Sequence, residues 1–294
     1  MRPTRETVEG RAYLDLQNQA RRDKRPTDEL LALYALEGFL ARLAASPAAK
    51  LLVLKGGVLL AAFGARRPTR AVDLHAEHVS GDGESVLALI RSIAAIDVQD
   101  GLVFTPDAAR AEVIRGEEQY SGVRVSLACS LARADVTFHV DVNVGDPITP
   151  APRRVAIPKL LGGELHVLGY PLAMVHAEKI VTAIGRGVAN TRWRDFGDLY
   201  VLSRRHDVVG VELATALATV ATHREIELRP LTLVLAGYAE LAQTRYQAWR
   251  RKHRREDLPE HIHDVLTQVI AFADPAVSGG SAQLTWRASR GVWV

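Results

Sequence analysis

The chain has 294 residues, of which 48% are hydrophobic and 24% charged, enough to bury a large core as one big domain or two modest ones. The opening residues MRPTRETVEG lack the apolar run of a secretory leader, and the longest apolar stretch, residues 30–45, is interrupted by Glu37 and Arg42, so secretion and a membrane partner are not expected. A single cysteine, Cys129, excludes an internal disulfide and a cysteine-built metal centre, which leaves carboxylates and histidines as ligands and the reducing cytoplasm as the expected compartment.

In chain order, the first basic cluster is RRDKR at residues 21–25. Thr27, Asp28 and Glu29 then mark a helix start, and apolar periodicity carries that helix to Ser46, where Pro47 closes it. Residues 51–78 read as an apolar strand, a Lys55-Gly56-Gly57 turn, a short helix from Val58 and a second strand that carries Asp73. An amphipathic helix is expected over 84–96, and two long alternating strands over 121–131 and 135–144. Past Gly169 the pattern turns helical, with helices expected at 171–186, 191–206, 211–222, 230–252 and 258–273. The fold class is therefore α+β, a lobe with a mixed sheet followed by an all-helical lobe. The Pro- and Gly-rich stretch around 150–170 suggests a division into residues 1–165 and 166–294.

The strand DVTFHVDVNV sets Asp135, Thr137, His139, Asp141 and Asn143 on one face and Val136, Phe138, Val140, Val142 and Val144 on the other. A polar row of this kind is either solvent-facing or lines a site. Carboxylates on adjacent strands, such as Asp73 and Asp141, suit the divalent cations used in phosphoryl and nucleotidyl transfer. Glycines at 56 and 57 let backbone N–H groups approach a phosphate, although a Gly-Gly pair is by itself usually a tight turn. In the helical half, Asp195 and Asp198 share a helix face, Lys179 is a candidate for neutralising triphosphate charge, and Asp195 for accepting or orienting a proton. The plainer alternative for this half is an exposed helix with local ion pairs.

A second basic run, Arg250, Arg251, Lys252, Arg254 and Arg255, lies beside Trp249. The net charge is only +3, yet local clusters matter more than the total for a polyanion, so RNA or DNA is a reasonable acceptor. Trp249 either packs in a core or stacks on a base.

Lys55-Gly56-Gly57, the group Arg66, Thr69, Arg70 and Asp73, Asp141 followed by Gly145-Asp146, the Glu178-Lys179 pair, and Arg194-Asp195 with Asp198 together resemble the AbiEii-type nucleotidyltransferase toxins, including the mycobacterial MenT group. The resemblance covers about residues 50–205. It implies a polymerase-β-like lobe, a nucleoside triphosphate substrate, Mg2+ as cofactor, transfer of nucleotides to the acceptor end of tRNA, and a cognate antitoxin as partner. By position, Asp73 and Asp141 would hold metal. Lys55, Gly56, Gly57, Arg66, Thr69 and Arg70 would border the nucleotide, with Lys179 and Asp195 completing the set.

Ala71 departs from the family pattern, which has two acids separated by one apolar residue. Either this copy was altered so that a toxic enzyme is tolerated, which is the favoured reading, or another acid such as Glu77 or Asp146 substitutes. The alternatives in other classes are a non-catalytic nucleotide- or RNA-binding protein on the same fold and a phosphotransferase acting on protein.

Overall fold

The computed structural model describes residues 3–115 and 121–294. The chain divides into two compact units, residues 1–146 with 152–170, and residues 147–151 with 171–294.

The first unit opens with α1 (Val8–Arg22) and α2 (Thr27–Ala45). The Thr7 side chain caps α1 by accepting from the Gly10 N–H, with Glu9 in the first turn and Arg21 and Arg22 in the last, which suits the helix dipole. α2 is apolar nearly all round, and Leu30, Leu33, Leu36, Phe39, Leu40 and Leu43 are all buried. Such a helix belongs inside a fold rather than on its surface. It packs on the sheet, where Phe39 meets Phe138 edge-on at 6.1 Å.

The sheet contains β1 (Leu52–Lys55), β2 (Ala71–Ala76), β3 (Leu102–Phe104), β4 (Arg110–Arg115), β5 (Ser121–Leu131), β6 (Ala134–Val144), β7 (Arg153–Pro158) and β8 (Glu164–Gly169). Its order is β3-β5-β6-β2-β1-β8-β7, and β4 also pairs with β5. β2 runs parallel to β6 and β1 parallel to β8, while the other pairs are antiparallel. The short α3 (Gly56–Leu59) leads into a single 3-10 turn at Leu60–Phe63, and α4 (Gly83–Ala94) is capped by the Asp82 carboxylate, which accepts from the Ser85 N–H at 2.8 Å.

The alternation of β6 is realised in its burial. Val136, Phe138, Val140 and Val142 are buried, and Asp135, Thr137, His139, Asp141 and Asn143 lie on the other, less covered face. The stretch that suggested a linker holds the β7–β8 hairpin, and residue 165 lies within β8. The sequence masks this hairpin because Arg153, Arg154 and the Lys159–Gly163 turn are polar, while β8 is completed by pairing with β1, a partner distant in the chain.

The second unit holds α5 (Leu172–Arg186), α6 (Trp193–Arg205), α7 (Gly210–His223), α8 (Leu231–Val234), α9 (Tyr238–Lys252) and α10 (Ile262–Val277). The helix expected over 230–252 is broken in two, because Gly237 takes φ +74, a left-handed value outside helical geometry. Asp274 caps the start of α8, accepting from the Leu231 N–H at 2.6 Å and the Thr232 N–H at 3.1 Å. This unit is largely helical but also carries a small antiparallel sheet of β9 (Val208–Val209), β10 (Thr285–Arg287) and β11 (Val292–Trp293). Strands of two or three residues are too short to leave an alternating pattern in sequence. They persist here because Trp286 is fully buried, donates to the Ser203 carbonyl at 2.6 Å and meets Phe272 at 5.1 Å.

Candidate functional site

One row of side chains crosses the first unit's sheet on the face opposite the core. Lys55 of β1 is the register partner of Asp73 on β2, Asp73 of Asp141 on β6, and Asp141 of Arg124 on β5. Partners in register on adjacent strands share a face, about 4.8 Å from strand to strand. The two carboxylates expected from the sequence are therefore neighbours.

Their surroundings differ. Burial and the charge of Asp141 push the Asp73 carboxyl above its usual range, and Lys55, the Gly57 N–H and Arg67 oppose that rise. Asp141 instead receives a two-pronged ion pair, from Arg124 Nε to Oδ1 and from Arg124 Nη2 to Oδ2, both at 2.8 Å. Lys55 donates to Asp146 Oδ2 at 3.1 Å and lies 5.5 Å from the Tyr170 ring centre.

The glycine turn makes this closeness possible. Gly56 has φ +65, and a Cβ on it would fall 2.0 Å from Asp73 Oδ2. Gly57 turns its N–H to Asp73 Oδ2 at 3.3 Å, and a Cβ there would come within 3.2 Å of both Arg67 Nη1 and Thr69 Oγ1. The Gly57 N–H expected to meet a phosphate is thus directed at a carboxylate. The helix expected from Val58 is one α turn followed by one 3-10 turn, too short to build a substantial dipole.

Arg66 pairs with a buried acid of α2. It donates to Glu37 Oε1 at 2.5 Å and to the Pro158 carbonyl, so it neutralises a buried acid. Arg70 is exposed and reaches Asp28 at 3.4 Å. The Thr69 hydroxyl is near the Ala71 backbone, at 3.4 Å from its N and 3.3 Å from its O. Ala71 is the register partner of His139, whose Nδ1 lies 3.2 Å from Ser126 Oγ. Of the acids weighed as substitutes, Asp146 is joined to the row through Lys55. Glu77 is four residues past Asp73, about 13 Å along an extended chain.

In the second unit, Lys179 of α5 lies between Asp195 Oδ1 at 2.7 Å and Asp198 Oδ2 at 2.9 Å on α6. Arg192 adds a bond to Asp195 Oδ2 at 2.6 Å. Both aspartates are buried, so the shared helix face makes a bridge between helices and not an exposed intrahelical pair. Burial works to raise the Asp195 pKa, but Lys179 and Arg192 outweigh it and hold the group below its usual value. Asp195 thereby anchors Lys179. The turn before α6 is fixed by Asn190, which accepts from the Arg192 N–H at 2.7 Å and, through its carbonyl, from Tyr238 Oη at 2.6 Å. Glu178 lies 3.8 Å from Arg224. Trp249 is half-buried among Trp193, Tyr246, His253 and Arg255, which favours its packing role.

Sequence reading missed Arg124 and Arg67. The signal for Arg124 was available, since it occupies the polar positions of SGVRVSLACSL, but its partner is set by strand register.

Two carboxylates on neighbouring strands, one of them raised by burial and by the charge of the other, suit a hard divalent cation as donors. Among the described residues no group of three or more His, Cys, Asp or Glu gathers to hold a metal.

A mixed sheet with this acid row, followed by a largely helical unit, defines a polymerase-β-like nucleotidyltransferase fold. The chain matches, over residues 38–269, the family described as nucleotidyl transferase AbiEii toxin of type IV toxin–antitoxin systems, and it belongs to that family. Family membership implies an antitoxin as partner.

Two solved structures are similar to it at low identity. A candidate nucleotidyltransferase from H. pylori is 14% identical with a TM-score of 0.45, the match covering 87% of this chain and 92% of that one. JHP933 from Helicobacter pylori is 13% identical with a TM-score of 0.42, covering 76% and 95%. No curated protein matches the chain. Among the described residues no helix is long and apolar enough to cross a membrane.

Proposed function

We propose that this chain is a toxin that transfers nucleotides from a nucleoside triphosphate to the acceptor end of tRNA, as in the MenT group its motifs resemble, and that Ala71 impairs it. The observation that carries the reading is the Asp73–Asp141 pair on adjacent parallel strands beside the Lys55-Gly56-Gly57 turn. Asp73 and Asp141 would hold Mg2+, which when bound supplies positive charge to the reacting phosphate. Lys55 balances the acids from the next strand. Gly56 and Gly57 keep the approach clear of side chains, with Arg67 and Thr69 bordering it. Within the helical unit, Lys179 is oriented by Asp195 and Asp198, and it is the candidate for neutralising triphosphate charge.

The acceptor hydroxyl oxygen forms a bond to the α-phosphorus, the bond from that phosphorus to the β-phosphate oxygen breaks, and pyrophosphate leaves as the hydroxyl proton passes to solvent. An aspartate at 71 would add a third acid beside Asp73 on the same strand face, and its absence weakens cation binding where transition-state charge develops.

The test incubates this chain and its Ala71→Asp variant with total tRNA, magnesium and each α-labelled triphosphate. Labelled tRNA is expected with Ala71→Asp and little or none with the chain as it stands. Salt-sensitive RNA binding without turnover in both forms would instead establish a binding protein, and transfer of a γ-label to protein would establish a phosphotransferase.

A further inference from the structure

We propose that Arg124 is an internal cation for Asp141, one that competes with a divalent metal for that carboxylate and so sets the metal affinity of the two-aspartate site. The inference rests on the reading that Asp73 and Asp141 hold a cation. It concerns a residue outside the motifs that carry the family resemblance.

The geometry supports competition rather than mere proximity. Both oxygens of Asp141 are taken by the Arg124 fork at 2.8 Å, so a metal approaching that carboxylate meets a guanidinium already in place. The row holds two acids, Asp73 and Asp141, with Lys55 and Arg124 flanking them in register. Ala71 contributes no further negative charge, and the Lys55 ammonium is tied to Asp146. A divalent ion taken up at Asp141 displaces the cation that already occupies both of its oxygens, and Arg124 is that cation.

Arg124 also has somewhere to go. Its side chain is 35% exposed whereas that of Asp141 is 15% exposed, so Arg124 is more open to solvent than the carboxylate it pairs with. On the other side of β5, the register partner of Arg124 is Glu112 of β4, an exposed acid whose charge already acts on the guanidinium. A swing from Asp141 to Glu112 keeps Arg124 paired and frees Asp141 for a metal. A purely structural cross-strand ion pair has no need of the second acid, and its removal would not improve metal binding.

The experiment titrates the metal-free full chain with Mn2+ and measures free Mn2+ by electron paramagnetic resonance, with no nucleotide or activity involved. Arg124→Gln is expected to bind Mn2+ about tenfold more tightly than the unaltered chain, and Arg124→Lys, which cannot form the fork, by an intermediate factor. Glu112→Gln removes the alternative partner and is expected to weaken binding. Circular dichroism and urea midpoints establish that each variant is folded.

Affinity in folded Arg124→Gln that is equal to or weaker than that of the unaltered chain overturns the proposal. Should Arg124→Gln fail to fold, unchanged affinity in Glu112→Gln overturns it equally. Asp73→Asn and Asp141→Asn separate the two levels of inference: if neither reduces Mn2+ binding, the two-aspartate metal reading itself is lost, whereas if both do and Arg124→Gln has no effect, only the role of Arg124 is lost.

Discussion

Gly56 and Asp73 lie so close together that any side chain on the glycine would occupy the space of the carboxylate, its Cβ falling 2.0 Å from Asp73 Oδ2. Gly56→Ala therefore combines left-handed backbone strain with a steric collision, and a loss of about 2 to 4 kcal/mol is expected in urea unfolding. Gly145→Ala provides the comparison, because Gly145 also has positive φ, +91, but nothing lies within 4 Å of its Cβ position. The second variant should lose only the strain component, about 1 to 2 kcal/mol. Equal losses would show that Asp73 yields at no cost.

Arg66 and Glu37 distinguish a structural arginine from a phosphate-binding one. Glu37 is buried, and that burial raises its pKa against the opposing Leu160 N–H and Arg66. Removing the cation leaves a buried acid supported by the Leu160 N–H and the more weakly acting charge of Lys159, so Arg66→Met should cost about 2 to 4 kcal/mol of stability. Adding Glu37→Gln to Arg66→Met should recover part of that loss, a coupling that a double-mutant cycle in urea reads directly. An arginine serving only a nucleotide would leave the unfolding midpoint unchanged.

Lys179 holds two buried acids together, and Lys179→Met should destabilise the chain by about 3 to 5 kcal/mol by leaving Asp195 and Asp198 facing each other without the lysine. The pH dependence follows from Asp195, whose folded pKa lies below its usual 3.8. Its stabilising contribution is complete above that usual value and is lost as the pH falls through the folded one. Urea midpoints measured between about pH 2 and pH 5 should drop less steeply toward acid in Asp195→Asn than in the unaltered chain. A parallel drop would contradict the paired, ionised state of Asp195.

Legibility in the sequence tracked the length and periodicity of each element. β5 and β6 are long and alternate strictly, so their span and their two faces could be read directly, including the polar face of Asp141. α2 was legible from its start signals and its apolar content. The β7–β8 hairpin was not, because its polar turn and the Pro and Gly around it resemble a linker and its partner β1 lies about a hundred residues earlier. Gly237 also hid a break that only its positive φ reveals.

The amino-acid sequence by itself determined the α+β order, the alternating strands and the candidate acids at 73 and 141, because periodicity and residue chemistry are local properties. Tertiary structure alone decided which charge meets which: Arg124 on Asp141, Arg66 on Glu37, Lys179 between Asp195 and Asp198. Ion pairing depends on strand register and helix packing, which bring together residues far apart in the chain, and on burial, which sets how strongly each pair interacts.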